Sequence, residues 1–230
     1  MKKLAHRGYS ERYPENTMIA FKKAIERGFD GMETDVHLTL DGQLVLCHDE
    51  SIDRTSNGTG YIKDMTLEQL REYNFHYNSE YNEKIPTLEE LLLLIKDTDL
   101  LLNIELKTDC FHYEGIEQKV YDLVKKIGVQ DQIMYSSFYL PSLLKMREID
   151  DSVYVGYLYY KDIDTKHDEV LEHNFKYVHP DYKLLDTSVM KFYNDHNIKL
   201  AVWTIKTQEE YYKMKDYGID VVISNDYMED

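Results

Sequence analysis

Short runs of β-branched and aromatic residues alternate with helix-forming segments along nearly the whole chain. This alternation predicts a parallel sheet, because each parallel strand needs a crossover, usually a helix, to reach the next. We predict eight strands, at 4–6, 31–36, 100–107, 133–137, 153–157, 177–181, 199–203 and 220–224. Seven helices are predicted between them, at 17–27, 88–96, 113–127, 140–149, 166–173, 187–194 and 208–217. Eight strands suit a closed (β/α)8 barrel, although an open doubly wound sheet would give the same alternation.

Residues that favour helix ends mark the borders of these segments. Asn16 is a candidate N-cap for the first helix, and Thr87 with Glu90 forms a candidate capping box. Three predicted helices are followed by a glycine, the residue that most readily adopts the left-handed conformation, at Gly28, Gly128 and Gly218. These signals support the predicted helix boundaries.

One segment, 49–86, interrupts the alternation between the second strand and its helix. It contains a polar, glycine-bearing stretch at 55–60 and then four aromatic residues, Tyr73, Phe75, Tyr77 and Tyr81. A loop of this kind at the active end of a barrel can form a wall or lid over a pocket. The alternative, given equal weight, is a surface loop whose aromatic residues pack on its own short helix near 67–72.

The composition is that of a folded globular protein, and its charge argues against polyanionic partners. Of 230 residues, 43% are hydrophobic and 30% are charged, which is ordinary for a globular protein, so we predict a single domain over 1–230. The net charge of −16 argues against nucleic acid and anionic membrane surfaces as partners, because it repels polyanions. The longest aliphatic run, 91–95, is far shorter than the roughly 20 residues that span a bilayer. We therefore predict no stable membrane insertion. Two isolated cysteines, Cys47 and Cys110, and an N-terminus without the apolar run of a signal peptide are compatible with a reducing compartment, so we predict a cytoplasmic protein.

Three acidic residues form a candidate metal site. Glu33 and Asp35 are two residues apart in the second strand, so both side chains point to one face, and Glu105 lies in the third strand. Carboxylates that converge in a protein interior repel one another unless a cation binds between them. Because all three ligands are hard oxygens, we predict one divalent cation, Mg²⁺, Ca²⁺ or Mn²⁺, rather than zinc.

Basic residues lie at the ends of the same strands. His6 and Arg7 end the first strand, His48 ends an extended run at 43–47, and Lys107 ends the third strand. In a barrel these are the positions where active sites are assembled. Two imidazoles can act as an acid–base pair near neutral pH, and a guanidinium with an ammonium can bind phosphate oxygens; alternatively, the two cations only neutralise the carboxylates. Two other histidines keep an open role, His37 and His179.

The order of these residues resembles that of a known family, the glycerophosphodiester phosphodiesterases. The similar segments are His6-Arg7-Gly8, Pro14-Glu15-Asn16-Thr17, Glu33-Thr34-Asp35, His48-Asp49, Asp53-Arg54-Thr55, Ile85-Pro86-Thr87-Leu88, Glu105-Leu106-Lys107 and Val202-Trp203-Thr204. They extend from the first strand almost to the last residue.

The resemblance implies a TIM barrel that hydrolyses glycerophosphodiesters, such as glycerophosphocholine, glycerophosphoethanolamine or glycerophosphoglycerol, to sn-glycerol 3-phosphate and an alcohol. The roles it implies are a metal cage of Glu33, Asp35 and Glu105, an acid and base in His6 and His48, phosphate contacts from Arg7 and Lys107, and a glycerol-side wall at Trp203. Which histidine is the base stays open, as does direct attack by water versus a cyclic phosphate intermediate.

Three local features depart from the family pattern. Lys206 stands where the family commonly has asparagine, and the segment 224–227 lacks a proline often found there. The six residues after the last strand allow at most a stub of the eighth helix. The resulting gap would stay open or be covered otherwise, for example by a second copy in a homo-oligomer.

Two rival functions are considered. A lysophospholipid-active phosphodiesterase of related barrel type would need an apolar surface for its acyl chain, for which only the aromatic residues of the 49–86 insertion are candidates. A catalytically silent barrel that binds a phosphorylated ligand is the second, and retention of every acid, base and cation argues against it.

Overall fold

The computed structural model describes residues 1–75 and 80–230. Its strands are β1 Lys2–Ala5, β2 Gly31–Leu38, β3 Leu44–Leu46, β4 Leu101–Leu106, β5 Ile133–Ser137, β6 Tyr154–Tyr159, β7 Tyr177–Pro180, β8 Lys199–Ile205 and β9 Val221–Ser224. Its α-helices are α1 Met18–Arg27, α2 Leu67–Leu70, α3 Leu88–Ile95, α4 Ile116–Ile127, α5 Leu140–Ile149, α6 Ile163–Glu172, α7 Thr187–Asp195 and α8 Gln208–Asp216. All predicted strands and helices are present, and β3 is the predicted extended run at 43–47.

Eight strands close a parallel barrel. They pair in the order β1-β9-β8-β7-β6-β5-β4-β2, and β1 pairs with β2 through Leu4 opposite Gly31. This last pairing joins the two edges, so the (β/α)8 barrel is confirmed and the open sheet is excluded. Gly31 is required where β2 runs beside β4, since a Cβ there would lie 2.2 Å from the carbonyl oxygen of Leu101. The short β3 pairs antiparallel with the end of β2 and leads into the 49–86 insertion.

The helices pack on the barrel through one apolar face. In α4, Ile116, Val120, Val124 and Ile127 are buried at three- and four-residue spacing. Burial of each such side chain stabilises the fold by about 1.5–3 kcal/mol. Inside the barrel, a second cluster of apolar side chains fills the space between the strands, formed by Leu4, Met134, Ala201, Val221 and Ile223. The barrel is therefore a packed core with functional groups at its end rather than a channel.

The N-cap of α1 is Thr17, so the prediction of Asn16 as the cap was wrong. The Thr17 hydroxyl accepts the backbone N–H of Ala20. Asn16 instead donates from Nδ2 to Asp35 Oδ2 at 2.9 Å, and its Oδ1 accepts from the Thr34 hydroxyl at 2.7 Å. The side chain that was expected to cap a helix is bound to β2. The capping box of Thr87 and the left-handed glycines are confirmed.

The insertion at 49–86 has a small core of its own. The buried side chains that the insertion contributes are Ile52, Ile62, Leu70, Phe75 and Ile85. They pack against Val45 and Cys47 of the run at 43–47. Tyr73 packs partly against this cluster, and Tyr81 contacts Tyr13 with ring centroids 5.9 Å apart. The described aromatic residues thus fit the surface-loop interpretation rather than the lid; Tyr77 lies outside the described residues.

The chain covers the expected gap after β9 without a helix. The described residues 225–230 run between α1 and α8, and Met228 is buried. Tyr227 packs edge-on against Phe29, and Asp230 accepts a hydrogen bond from Lys3 Nζ at 3.0 Å. Of the two alternatives for this gap, the structure shows the covered one, and the cover comes from the chain itself. Across the described parts of the chain, no helix is long and apolar enough to cross a membrane.

Candidate active site

Three buried acidic side chains converge where β2 and β4 lie side by side. Glu33 and Asp35 come from β2, Glu105 comes from β4, and the strand register sets Asp35 opposite Glu105. Their relative exposures are 3, 1 and 8%. One carboxylate oxygen from each lies within 4.8 Å of the other two. The two-residue spacing in β2 is what brings its two acids to the same side of the strand.

Burial and mutual repulsion shift the ionisation of these acids. Burial, followed by the charges of Asp35 and Glu105, raises the pKa of Glu33 well above its usual value. Burial would also raise the pKa of Asp35, but Arg7 and Lys107 overcome it and lower this pKa to about 2. The pKa of Glu105 is raised chiefly by burial, against the opposing effect of Lys107. The cluster therefore resists full ionisation unless further positive charge binds to it.

The donor set fits a hard divalent cation. Asp35 Oδ1 is buried and has no hydrogen-bond partner, and such an unpaired oxygen is costly in a protein interior. Carboxylate oxygens are the ligands that Mg²⁺, Ca²⁺ and Mn²⁺ prefer. A second acidic group contains Glu50, Asp109 and Cys110. It is more exposed and includes a soft thiol, so it fits such a cation less well.

Two cations flank the acids. Lys107 Nζ donates to Glu105 Oε1 at 2.9 Å and lies 3.8 Å from Asp35 Oδ1. The backbone N–H of Arg7 donates to Glu33 Oε2 at 2.9 Å, and its side-chain Nε lies 3.6 Å from Asp35 Oδ2. Arg7 has a φ of 56°, a left-handed conformation that costs about 1–2 kcal/mol. These contacts agree with the alternative in which the two cations neutralise the carboxylates. They also hold both positive charges beside the acidic cluster.

His6 has one ring nitrogen held and the other free. Its Nδ1 lies 2.7 Å from Asn225 Oδ1. Because a carbonyl oxygen only accepts, the proton of the neutral ring is assigned to Nδ1, which leaves the Nε2 lone pair 3.9 Å from Glu33 Oε2. Burial and then the charge of Arg7 lower the pKa of His6 to about 4. A neutral imidazole with an open Nε2 can accept a proton.

His48 is held by a carboxylate in a chain of alternating charges. Its Nδ1 lies 2.6 Å from Asp49 Oδ1, and Arg54 donates to the same carboxylate. Arg54 also donates to Glu15, which in turn accepts from Arg7 at 3.0 Å. Burial would raise the pKa of Asp49, but the bonds from Arg54 and His48 lower it instead. This chain of contacts fixes His48 relative to Arg7.

The cavity between these residues has a volume of about 100 Å³. The side chains of its polar wall are His6, Arg7, Glu33, His48, Asn103 and Glu105. The side chains of its apolar wall include Phe138, Leu158, Trp203 and Ile223. Asp35 and Lys107 lie next to this lining rather than in it. One half of the cavity therefore offers charge and hydrogen bonds, and the other offers apolar contact.

A larger cavity of about 660 Å³ lies at the opposite, amino-terminal end of the barrel. It surrounds the stacked rings of Tyr154 and Tyr177 and is lined by separate charged residues such as Lys199 and Asp131. Among the described residues that line it there is no histidine, and its acids do not form a group within metal-binding distance. We therefore place the active site at the smaller cavity, where the chemistry is concentrated.

The two histidines with an open role support the site from behind. His37 Nδ1 lies 3.0 Å from the Tyr113 hydroxyl, and its Nε2 lies 3.4 Å from the carbonyl oxygen of His48. The carbonyl oxygen of His179 accepts the indole N–H of Trp203 at 2.8 Å. Burial lowers the pKa of His179 to about 3. Both rings are enclosed, and neither faces the cavity.

Several residues around the site were given no active-site role by the sequence-based prediction. They are Glu15, Asn16, Asp49, Arg54, Asn103, Phe138, Leu158 and Asn225. Two of them could have been found from local patterns in the sequence. Asp49 directly follows His48, and Asn103 lies two residues before Glu105 in β4, so both side chains point to the same face of the strand. The partner of His6, Asn225, lies 219 residues away, and no local pattern joins them.

The chain is similar to known phosphodiesterases in sequence and in structure. It matches the sequence model of the glycerophosphoryl diester phosphodiesterase family over residues 6–229. The glycerophosphodiester phosphodiesterase of Caldanaerobacter subterraneus subsp. tengcongensis is 37% identical over 226 residues, which cover 97% of this chain and 93% of the relative.

Two solved structures share the barrel over almost their full length. The glycerophosphodiester phosphodiesterase of Thermotoga maritima has a TM-score of 0.81 and 32% identity, covering 98% of this chain and 94% of that one. A phosphodiesterase of Oleispira antarctica, solved in complex with the product sn-glycerol-3-phosphate, has a TM-score of 0.89 and 27% identity, covering 98% and 93%.

Proposed function

Since the chain belongs to the glycerophosphoryl diester phosphodiesterase family, we propose that residues 1–230 act as one domain that hydrolyses glycerophosphodiesters to sn-glycerol 3-phosphate and an alcohol. The protein is an enzyme of the phosphoric diester hydrolase class, like the relatives it resembles. The observation that carries the detailed proposal is the convergence of three acids, two imidazoles and two cations around one cavity. The product bound to the Oleispira antarctica enzyme is the one proposed here.

Glu33, Asp35 and Glu105 would hold one divalent cation, Mg²⁺, Ca²⁺ or Mn²⁺. When bound, such a cation polarises a phosphoryl oxygen and offsets the negative charge of the transition state. Arg7 and Lys107 add fixed positive charge beside the phosphate. Because Glu15 and Glu105 already hold these two side chains, little reorganisation is needed when the substrate binds.

The hydrogen bonds of the two histidines favour different roles. His6 Nε2 has a free lone pair, so His6 takes a proton from the attacking oxygen, whether that oxygen belongs to water or to the glycerol hydroxyl. His48 is held at Nδ1 by Asp49, so in its doubly protonated form it keeps the Nδ1–H bonded to the carboxylate and has an Nε2–H to give to the departing alcohol. His6 is thus the base and His48 the acid.

Two diesters that differ only in their leaving group test these roles. One carries glycerol and the other carries p-nitrophenol on the same glycerophosphate. His48→Ala should slow release of glycerol about 10²–10⁴-fold, the usual contribution of a general acid, and slow release of p-nitrophenolate much less, because that anion leaves without a proton. His6→Ala should slow both reactions.

The matched control is His196→Ala, since His196 is exposed at the end of α7. It should leave both reactions at wild-type rates. Equal losses for the two diesters in His48→Ala would refute its assignment as the acid, and wild-type rates in His6→Ala would refute the base.

The rival functions have less support. The lysophospholipid-active enzyme depended on aromatic residues of the insertion, and the described ones pack into other contacts. The silent barrel is at odds with relatives that are named as enzymes. A cytoplasmic location, the absence of nucleic-acid partners and a homo-oligomeric state stay predictions or open options from the sequence.

A further inference from the structure

A groove of about 280 Å³ adjoins the active-site cavity. The two spaces share Phe138 and Leu158. Lys107 lines the groove and donates to Glu105, which lines the cavity. Lys107, one of the two residues proposed to contact the phosphate, therefore lies where the two spaces meet.

The cavity alone is too small for a complete diester. Its volume of about 100 Å³ is well below the roughly 300–1,000 Å³ of pockets that enclose a drug-sized ligand. A phosphodiester has two alcohol arms on one phosphorus, so the cavity can enclose only one of them. The second arm must continue past Lys107, and the groove is the adjoining space.

Aromatic rings continue from the cavity into the groove. Phe138 has its ring centroid 5.6 Å from that of Trp203 in the cavity wall and 6.0 Å from that of Tyr160 in the groove. Tyr160 is 56% exposed, although tyrosine rings usually bury much of their surface. A bound arm would therefore lie along one connected aromatic wall.

The polar groups of the groove restrict the chemistry of that arm. Lys161 is exposed and has no ion pair among the described residues, and its Nζ lies 5.6 Å from the Tyr160 ring centroid. Asp109 is also exposed and has no ion pair in the described parts of the chain. Lys107 and Lys166 are already paired with acids. The groove thus offers one free donor-only group and one free acceptor-only group.

A hydroxyl group is both donor and acceptor, so a polyol can bond to both free groups. A choline group can form neither hydrogen bond. Asp109 attracts its positive charge, but the three lysines of the groove, Lys107, Lys161 and Lys166, make the space positive on balance, and Lys161 already lies beside the Tyr160 ring. On the basis of the proposed function, we propose that this groove binds the leaving alcohol and selects neutral polyols, such as glycerol or inositol, over choline.

The ratio of kcat/KM for a polyol diester to kcat/KM for glycerophosphocholine measures this selectivity. We expect the wild-type ratio, with glycerophosphoglycerol and glycerophosphoinositol as the polyol diesters, to be about tenfold, the order of discrimination expected when one or two hydrogen bonds distinguish two substrates. In Lys161→Met the ratio should fall several-fold towards one, because the polyol loses a donor and choline loses a repelling charge, and in Asp109→Ala kcat/KM for the polyol diesters should fall several-fold.

Lys191→Met is the matched control, because Lys191 is exposed on the outer helix α7. It should keep the wild-type ratio. A wild-type preference for glycerophosphocholine, a ratio that is the same in the wild type and Lys161→Met, or an unchanged kcat/KM for the polyol diesters in Asp109→Ala would overturn the inference. Failure of every diester to release sn-glycerol 3-phosphate would instead refute the proposed function.

Discussion

Replacing Glu33 with glutamine should stabilise the metal-free protein while it removes catalysis. Glutamine has almost the same shape, and its amide oxygen can still accept the backbone N–H of Arg7, which now lies 2.9 Å from Glu33 Oε2. Where Glu33 is ionised, the substitution therefore removes one negative charge from the acidic cluster and changes little else.

The expected size of this effect follows from the distances between the acids. A carboxylate oxygen of Glu33 lies within 4.8 Å of oxygens of Asp35 and Glu105. At an effective dielectric constant of about 20, each pair of unit charges at that distance repels by about 3.5 kcal/mol. Arg7 and Lys107 offset much of this repulsion, so we expect a net gain of about 1–2 kcal/mol. In a chain of this size the gain raises Tm by roughly 2–8 °C.

The stability gain depends on pH with a defined sign. Burial and the neighbouring carboxylates raise the pKa of Glu33, so the folded protein keeps this proton to a higher pH than the unfolded chain does. As the pH rises from the ordinary value towards the raised one, the wild type loses stability through this group. The Glu33→Gln variant has no such loss, so its advantage should grow with pH.

Thermal unfolding of both proteins in excess chelator, measured from pH 5 to 9, tests this reasoning. Addition of Mg²⁺, Mn²⁺ or Ca²⁺ should reverse the order of stability, because a ligand stabilises the protein that binds it. The reasoning fails if the variant is less stable than the wild type throughout in chelator, or if the difference in Tm does not change with pH.

Two further substitutions test other parts of the structure. Asp49→Asn should lower kcat about 10- to 100-fold with little change in Tm, because His48 loses the carboxylate that holds its Nδ1; a normal kcat would refute this positioning role. Met228→Ala should lower the free energy of unfolding by about 2–5 kcal/mol in urea denaturation, because Met228 is buried in the segment that covers the last barrel gap; a change under about 0.5 kcal/mol would mean that the segment contributes little.

Strands and helices were predictable because their signals are local. The apolar spacing of α4 lies within one short segment, and so does the capping box at Thr87. Segments with such local signals form the same kind of element in any βα unit. Barrel closure depends on the distant pair Leu4 and Gly31. Eight strands are enough for a closed barrel, but only the structure distinguishes the closed barrel from an open sheet.

Tertiary contacts outweigh local preference where the sequence-based prediction was wrong or left alternatives. Asn16 is a favourable N-cap by residue type, yet its amide forms two side-chain hydrogen bonds to β2, and Thr17 takes over the cap. For the last gap the sequence left two alternatives, open or covered otherwise, because six residues are too few for a full helix. The segment 225–230, with the buried Met228, covers it.

Part of the candidate site was predictable, because a local pattern sets the direction of some of its side chains. Strand parity alone brings Glu33 and Asp35 to one face, and the family resemblance supplied the remaining members. The chain of contacts from His48 to Arg7 through Arg54 joins separate loops. Its geometry is a property of the folded barrel, and no periodic pattern in the sequence encodes it.

Release of sn-glycerol 3-phosphate from glycerophosphoglycerol, before and after chelation, tests the central claim most directly. We predict that excess chelator abolishes release by the wild-type protein and that Mg²⁺, Mn²⁺ or Ca²⁺ restores it. The Glu105→Gln variant, which lacks one of the three proposed ligands, should stay inactive or need far more cation. Full release in excess chelator would contradict the account.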